Sequence, residues 1–344
     1  MALNTIATGG IANNAITTAK IGFYNIPFRN RIINGDISVA QRGTSFSDVA
    51  SGNYTIDRWK MNYRAIGNCD IAQVNNKTYK SLKVTNSNGS AQEIVMGTRI
   101  EDVTQFNNDS FILSFYAKAS TSCTLDTRVF ENYGSGGSTT VTRVASGSQN
   151  KTITTSRQRF TITFTASDMS SLTIGTSNFL EINFSVSLAS GANWEYDSVQ
   201  LEQGTTASDF EIIPFDVNLQ RCQRYYFCSD TVSSGTEFHP CFCGSSGNTP
   251  DSIKFTAPVS LRSPDNVTIT ASAGTSQLVG GGYSSTTTVP TFTRRSLTND
   301  VDGTTKPSGS GTKIYFVTNA LFSGISEGYA GFGTTGKLEF DNEL

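Results

Sequence analysis

The stretch FLEINFSVSL, Phe179–Leu188, sets Leu180, Ile182, Phe184, Val186 and Leu188 on one side of an extended chain, with Glu181, Asn183, Ser185 and Ser187 on the other. Strand side chains alternate with a period of two, so this stretch must bury one face and wet the other. An antiparallel sheet meets that demand and a helix does not. RFTITFT repeats the pattern, with Phe160, Ile162 and Phe164 between Thr161, Thr163 and Thr165. In SFILSFYAKAS, Phe111, Leu113 and Phe115 stand opposite Ile112, Ser114 and Tyr116, so both faces are partly covered, as in a central strand.

KSLKVTN, LDTRVF and YDSVQLE read as further strands. Ile32 and Ile33, then Ile37 and Val39 across the Gly35–Asp36 turn signal, suggest a first strand. Tyr54, Ile56 and Arg58 alternate into Trp59, which reads as a core filler. About eight to ten strands without a convincing helix are buried most economically as two packed sheets, so residues 30–215 are expected to form a β-sandwich. Composition agrees: the apolar share of 37% falls below the ~45–50% usual in soluble domains, and Gly, Ser, Thr and Asn fill the gap. At 344 residues there is room for a second domain. After Pro214, Asp216 is placed to cap a short helix carrying Leu219, Cys222, Gln223 and Tyr226 on one side. RYYFC, SIKFTA, NVTITA, KIYFVTN and GKLEF then return to strands, which predicts a β domain over residues 216–344.

Residues 1–29 are polar and small, without a helical or strand period. Ile6, Ile11, Ile16 and Ile21 recur every five residues, a spacing suited either to an arm pinned at intervals to partner copies or to a loose tail. A net charge of -2 and a pI near 5.6 supply no basic field, so no nucleic-acid partner is expected. No stretch reaches the ~20 apolar residues of a membrane-spanning helix, and the start lacks a secretory pattern; a soluble protein without membrane insertion is the expectation.

The six cysteines are too sparse for a disulfide scaffold. His239, Cys241 and Cys243 with Cys222 or Cys228 could supply four zinc ligands, although the paired knuckles of a zinc ribbon are missing; the other reading is ordinary thiols. No phosphate-binding loop, nucleophile elbow or zinc-protease helix motif occurs, and a single histidine leaves a hydrolytic triad without a placed nucleophile. No enzyme is expected.

Two kinds of site remain. Asp36, in NGD, and Asp197, in YDSV, lie on the first and last strands and could bring hard oxygen ligands to calcium, or could serve as a turn cap and a solvent-facing side chain. Tyr133, Tyr283 and Tyr329 are flanked by glycines, which predicts loops, and an exposed tyrosine ring can stack on a sugar.

Two stretches taken together resemble a known family. RIINGDISVAQRGTS followed by YTIDRW, then VQLEQG with Asp209–Phe210 and Cys222–Tyr226 (CQRYY), resemble bacteriophage tail fibre proteins, which carry a carbohydrate-binding-module-like jelly roll before a distal β domain. AITTAKI is similar to repeats of fibre shafts and attachment regions, and VSLRSPDNVTI looks like a strand pair of the distal domain. The resemblance runs from about residue 15 to about residue 270. It implies an all-β virion protein: an attachment arm over residues 1–29, a jelly roll over 30–215, a linking helix and a β-sandwich-like tip over 216–344. It implies a homo-oligomer, a trimer by family habit, joined to other tail or adaptor proteins through residues 1–29 and binding host surface polysaccharide. A structural head fibre or tail adaptor, and a polysaccharide depolymerase, are the alternatives. Related calcium-binding modules carry a Glu soon after the NGD-like strand, where this chain has Ile37, Ser38 and Val39, which weakens the calcium expectation.

Overall fold

A computed structural model describes residues 28–228 apart from Ile66, together with the backbone of the strands between Glu237 and Asp341 and a few residues near them. Of the expected arm, Phe28 and Arg29 alone fall within the described residues. The chain divides into two compact units. The first comprises Met1–Ser38, Ser45–Tyr54 and Trp59–Ile213; the second comprises Val39–Thr44, Thr55–Arg58 and Pro214–Leu344.

The first unit is an all-β jelly-roll sandwich. One sheet runs in the order β1 (Ser45–Phe46), β3 (Cys69–Asn75), β4 (Lys80–Asn86), β12 (Asn193–Gln203), β6 (Ser110–Ala119), β10 (Gln158–Thr165). The other runs β2 (Lys60–Arg64), β5 (Gln92–Glu101), β11 (Phe179–Leu188), β7 (Cys123–Asn132), β8 (Val141–Val144), with β9 (Lys151–Ile153) also on β7. The chain changes sheet from β4 to β5, again at β6 and β7, and again at β10, β11 and β12. Each change sends the apolar alternation of the next strand back into the same interior.

That interior is aromatic. Trp59, Phe115, Phe184, Trp194 and Tyr196 are all buried, with Trp59 and Tyr196 edge to face at 4.9 Å and Phe115 and Phe184 at 4.8 Å between centroids. Trp59 gives its indole N–H to the Asn34 carbonyl at 3.1 Å, so its polar edge is satisfied as its rings fill the core. Leu180, Ile182, Phe184, Val186 and Leu188 all point inward, as the sequence alternation requires. Along β12 the partner changes. Asn193–Tyr196 pair with β4, the register then shifts between Asp197 and Gln200, and residues 30–35 take over that edge. Val199 donates to the Gly35 carbonyl at 2.8 Å, Arg31 to the Leu201 carbonyl at 2.9 Å, and the Asn30 side-chain amide donates to the Val199 carbonyl while its oxygen accepts from Leu201. Ser198, at φ 50°, provides the turn of backbone that this exchange needs.

The second unit opens with α1 (Phe215–Gln223). Its N-cap is Pro214, and Asp216 lies within the first turn without a side-chain cap, which corrects the expectation that Asp216 caps the helix. A negative charge in the first turn still favours the helix through its dipole. Beyond it, β13 (Tyr226–Cys228), β22 (Leu338–Asp341) and β16 (Thr268–Ala271) form an antiparallel sheet with β22 in the middle. A second sheet runs β18 (Tyr283–Thr287), β17 (Ser276–Gly280), β21 (Gly328–Thr334), β14 (Glu237–Cys243), β15 (Pro250–Thr256), β20 (Lys313–Thr318), β19 (Phe292–Arg294). No helix among the described residues is long and apolar enough to cross a membrane.

Candidate functional site: a polar face of the sandwich

The two sheets of the first unit have outward faces of different character. On the first sheet, the outward residues Ile112, Ser114, Asp197, Gln200 and Glu202 are buried, because the chain folds back over them. Glu202 accepts from the Ser208 amide (2.8 Å), the Ser208 hydroxyl (2.6 Å) and the Gln200 side chain (3.0 Å), and Arg29 lies 3.7 Å away. Glu211 accepts from the Phe28 and Asn30 amides, tying down the incoming segment. These groups are spent on one another.

The outward face of the second sheet is part-exposed: Tyr63 is 47% exposed and the Arg99 and Glu181 side chains 22% and 15%, around a buried Asn183. Register places three rows across its outward face: Arg99, Glu181 and Phe130; then Lys60, Gly97, Asn183 and Arg128; then Val95, Ser185 and Asp126. Phe179 lies one row beyond, opposite Glu101 and Asn132. A register shift between Met61 and Tyr63 sets Asn62 against this surface and leaves Tyr63, 47% exposed, opposite Val95. The side chains form a connected network. The Asn62 amide donates to Asn183 Oδ1 (2.5 Å) and to Glu181 Oε1 (3.2 Å), Asn183 donates to the same Glu181 oxygen (2.9 Å), and Arg99 Nε donates to Glu181 Oε2 (2.6 Å). Beside it, Arg128 bridges Asp126 (2.8 Å) and Glu93 (3.0 Å), and the Ser185 hydroxyl donates to Glu93 (2.6 Å).

At the centre of the network stands Gly97. A Cβ built there would run into Asn183 Oδ1 and Asn62 Nδ2, so the absence of a side chain is what lets the two amides meet. Burial pushes the Asp126 carboxyl upward, but the Gly147 amide, the Ser146 hydroxyl and Arg128 outweigh it and hold the group below its ordinary value. The arrangement can exchange hydrogen bonds with adjacent hydroxyls through amide and carboxylate groups already oriented by neighbours. Apolar ring surface is supplied at its edges by Phe130, Tyr63 and Phe179, the last with the Arg99 guanidinium 4.3 Å over its ring.

The residues singled out from sequence lie elsewhere. Tyr133 is fully buried; its hydroxyl donates to Glu131 (2.8 Å), which also accepts from Ser167, so it is a core residue and not a stacking platform. The correction has a plain cause: the glycines after Tyr133 turn the chain, while Tyr133 itself continues the inward alternation of Leu125, Thr127, Val129 and Glu131. Tyr283 begins β18 and Tyr329 lies within β21, both on strands and not on loops, and their side chains lie outside the described residues. Asp197 is 2% exposed and takes both forks of Arg157, at 2.5 and 3.0 Å, while Arg157 stacks over Tyr116 at 3.6 Å and Tyr79 at 4.2 Å. Asp36 accepts from the Ser38 amide as a turn residue does. The expected calcium pair is therefore an ion pair and a turn, and among the described residues no three His, Cys, Asp or Glu side chains gather to hold a metal. Cys69, Cys123, Cys222 and Cys228 are not in disulfides, and the side chains of His239, Cys241 and Cys243 lie outside the described residues.

No protein-family profile matches the chain, and no curated protein matches it. Solved structures similar to it include a putative sugar binding protein from Bacteroides thetaiotaomicron, with 16% identity over 51% of this chain and 100% of that one and a TM-score of 0.36. A family 11 carbohydrate-binding module from Clostridium thermocellum, in complex with a β-1,3-1,4-mixed-linked tetrasaccharide, has 15% identity over 48% of this chain and 98% of that one, TM-score 0.30. The N-terminal cellulose-binding domain of a Cellulomonas fimi β-1,4-glucanase has 21% identity over 37% of this chain and 80% of that one, TM-score 0.28.

Proposed function

We propose that the chain is a non-catalytic glycan-binding protein of a bacteriophage virion, a trimeric fibre attached through residues 1–29, and that the outward face of β2, β5, β11 and β7 is its sugar-binding surface. The observation that carries the binding reading is the network of Asn62, Glu181, Asn183 and Arg99 around Gly97, part-exposed at its rim and bordered by aromatic rings. Sugars are recognised by such a combination, with hydroxyls paired to planar polar groups and C–H faces laid on rings. The virion reading rests on the NGD, QRG, DRW and CQRYY stretches and their order.

The charges of the surface favour a neutral glycan. Arg99 is matched by Glu181, and Arg128 by Glu93 and Asp126, so an acidic polysaccharide would have to displace a carboxylate to reach a guanidinium. Weak binding at one copy becomes firm attachment when several copies engage one surface.

The test is binding of the purified full chain to a panel of neutral and acidic bacterial polysaccharides, with Asn62→Ala and Asn183→Ala as controls. Binding to a neutral glycan that both substitutions weaken about tenfold or more, with the sandwich still folded, supports the site. Binding that survives both moves the site elsewhere, and no binding to any polysaccharide or to host cells sinks the glycan reading. Immunogold labelling of particles tests the virion placement separately.

A further inference from the structure

The QRG, DRW and CQRYY stretches are far apart in sequence, and the sugar-binding reading uses none of them. In the second unit their side chains meet. The Gln41 amide and side chain both donate to Asp57, at 2.6 Å each, and the Gln41 side chain also donates to the Tyr226 carbonyl at 2.8 Å. The Cys228 thiol donates to the Gln41 carbonyl at 3.3 Å. Arg42 lies over the Tyr226 ring and Arg58 over the Tyr225 ring, each 3.6 Å from the centroid. Aromatic stacking fixes each guanidinium plane while leaving its N–H edge available.

Those edges point at one short segment. Arg58 Nη1 donates to Glu343 Oε2, Arg42 Nη1 to Glu343 Oε1 at 3.4 Å, and Arg42 Nη2 to Asp341 Oδ2 at 3.1 Å. Arg262 Nη2 reaches the Glu343 carbonyl at 3.4 Å, and the Glu343 amide donates back to Asp341 Oδ1. The Arg58 and Glu343 side chains are 2% and 4% exposed. Arg58 has φ 68°, a left-handed backbone that an arginine holds only when its surroundings impose it.

We infer that Arg42, Arg58, Arg262, Tyr225 and Tyr226 form a recognition site for acidic side chains, filled by Asp341 and Glu343 of the same chain, and that this seat fixes β22 between β13 and β16. Two stacked guanidiniums reading both oxygens of one carboxylate select for Glu at that position by charge and by reach. The motif residues build a seat for Asp341 and Glu343 of the same chain.

The test is amide hydrogen exchange on the full chain, read at Tyr226–Cys228 and Leu338–Asp341, with β11 as the internal reference. Glu343→Gln keeps shape but withdraws the charge that two buried guanidiniums require; exchange in both strands is expected to rise about tenfold or more, with β11 unchanged. Glu343→Asp keeps the charge and loses reach, so it is expected to fall between Gln and the parent. Arg58→Lys keeps charge but loses the fork and the stack, and is expected to resemble Glu343→Gln. Should Glu343→Gln fail to fold, Asp341→Asn, on a half-open carboxylate, is expected to raise exchange about threefold. The inference is overturned if Glu343→Gln, or in its place Asp341→Asn, leaves both strands at the parent rate, or if Glu343→Asp exchanges as fast as Glu343→Gln.

Discussion

The two outward faces of the sandwich are built from the same materials and put to opposite uses. On the first sheet, Gln200 and Glu202 are closed in by Arg29 and residues 208–211, and Asp197 is covered by Arg157. On the second, Asn62, Glu181, Asn183 and Arg99 are just as well connected, with Asn183 7% exposed at the centre and the Arg99 and Glu181 side chains 22% and 15% exposed around it. Polar side chains on a sheet face are thus either roofed by crossing chain or held at the surface by one another. Covering decides, because a roofed carboxylate that loses a partner is left without water.

This difference can be broken from either side. The largest effect is expected on the covered face: Glu202→Ala strands Gln200, Ser208 and Arg29, and should cost about 3–5 kcal/mol of stability in urea unfolding while leaving glycan affinity intact. On the second sheet the effect should fall mainly on binding. Asn183→Ala is expected to lower glycan affinity by about tenfold to a hundredfold, about 1.4–2.7 kcal/mol, at a stability cost of about 1–3 kcal/mol that leaves the sandwich folded. Gly97→Ala, measured by calorimetric titration, should cost about threefold to tenfold in affinity, since its methyl group forces the Asn62 and Asn183 amides apart without removing either. If Glu202→Ala abolished binding without unfolding, or Asn183→Ala melted the sandwich, the division between the faces would fail.

Acid separates the two units more gently. Burial raises the pKa of Asp57 and of Glu343, in spite of Arg42 facing both and Arg58 facing Glu343, with Asp341 adding to the rise at Glu343. Asp126 is held the other way: its contribution is present above the ordinary 3.8 and is lost as pH falls through its lowered pKa, which amide exchange at Ser146 and Gly147 would report. The smallest effect is expected at Tyr196, whose buried hydroxyl has no hydrogen-bond partner; Tyr196→Phe should leave melting unchanged or raise it, by about 1 kcal/mol at most.

Much of the sandwich could be read from the sequence, because period-two alternation is a local property. FLEINFSVSL matches β11 from Phe179 to Leu188, and the core role of Trp59 follows from its place at a strand start. The site could not be read in the same way. Asn183 and Glu181 were visible as the wet side of a strand, but whether a wet side is open or roofed depends on which strands lie beside it and on what crosses over. The face of β11 needs Asn62, 121 positions earlier, to become a network. The acidic seat is further still from local signals, since Arg58 and Glu343 are 285 residues apart. Tyr133 misled for the converse reason: its flanking glycines signalled a loop correctly, while its own inward direction was set by the strand before it.

The second unit takes Val39–Thr44 and Thr55–Arg58 from within the sequence of the first. In genetic terms, this makes the two modules poor candidates for exchange by a single crossover. A recombination at Pro214 would give the Arg42 and Arg58 of one parent to the tail of another, and the product would fold cleanly only where that tail carries an acidic residue in place of Glu343. In any such exchange the acidic residue at position 343 would have to travel with Arg42 and Arg58, while the outward face of β5 and β11 carries no such tie to the second unit's Arg42 and Arg58.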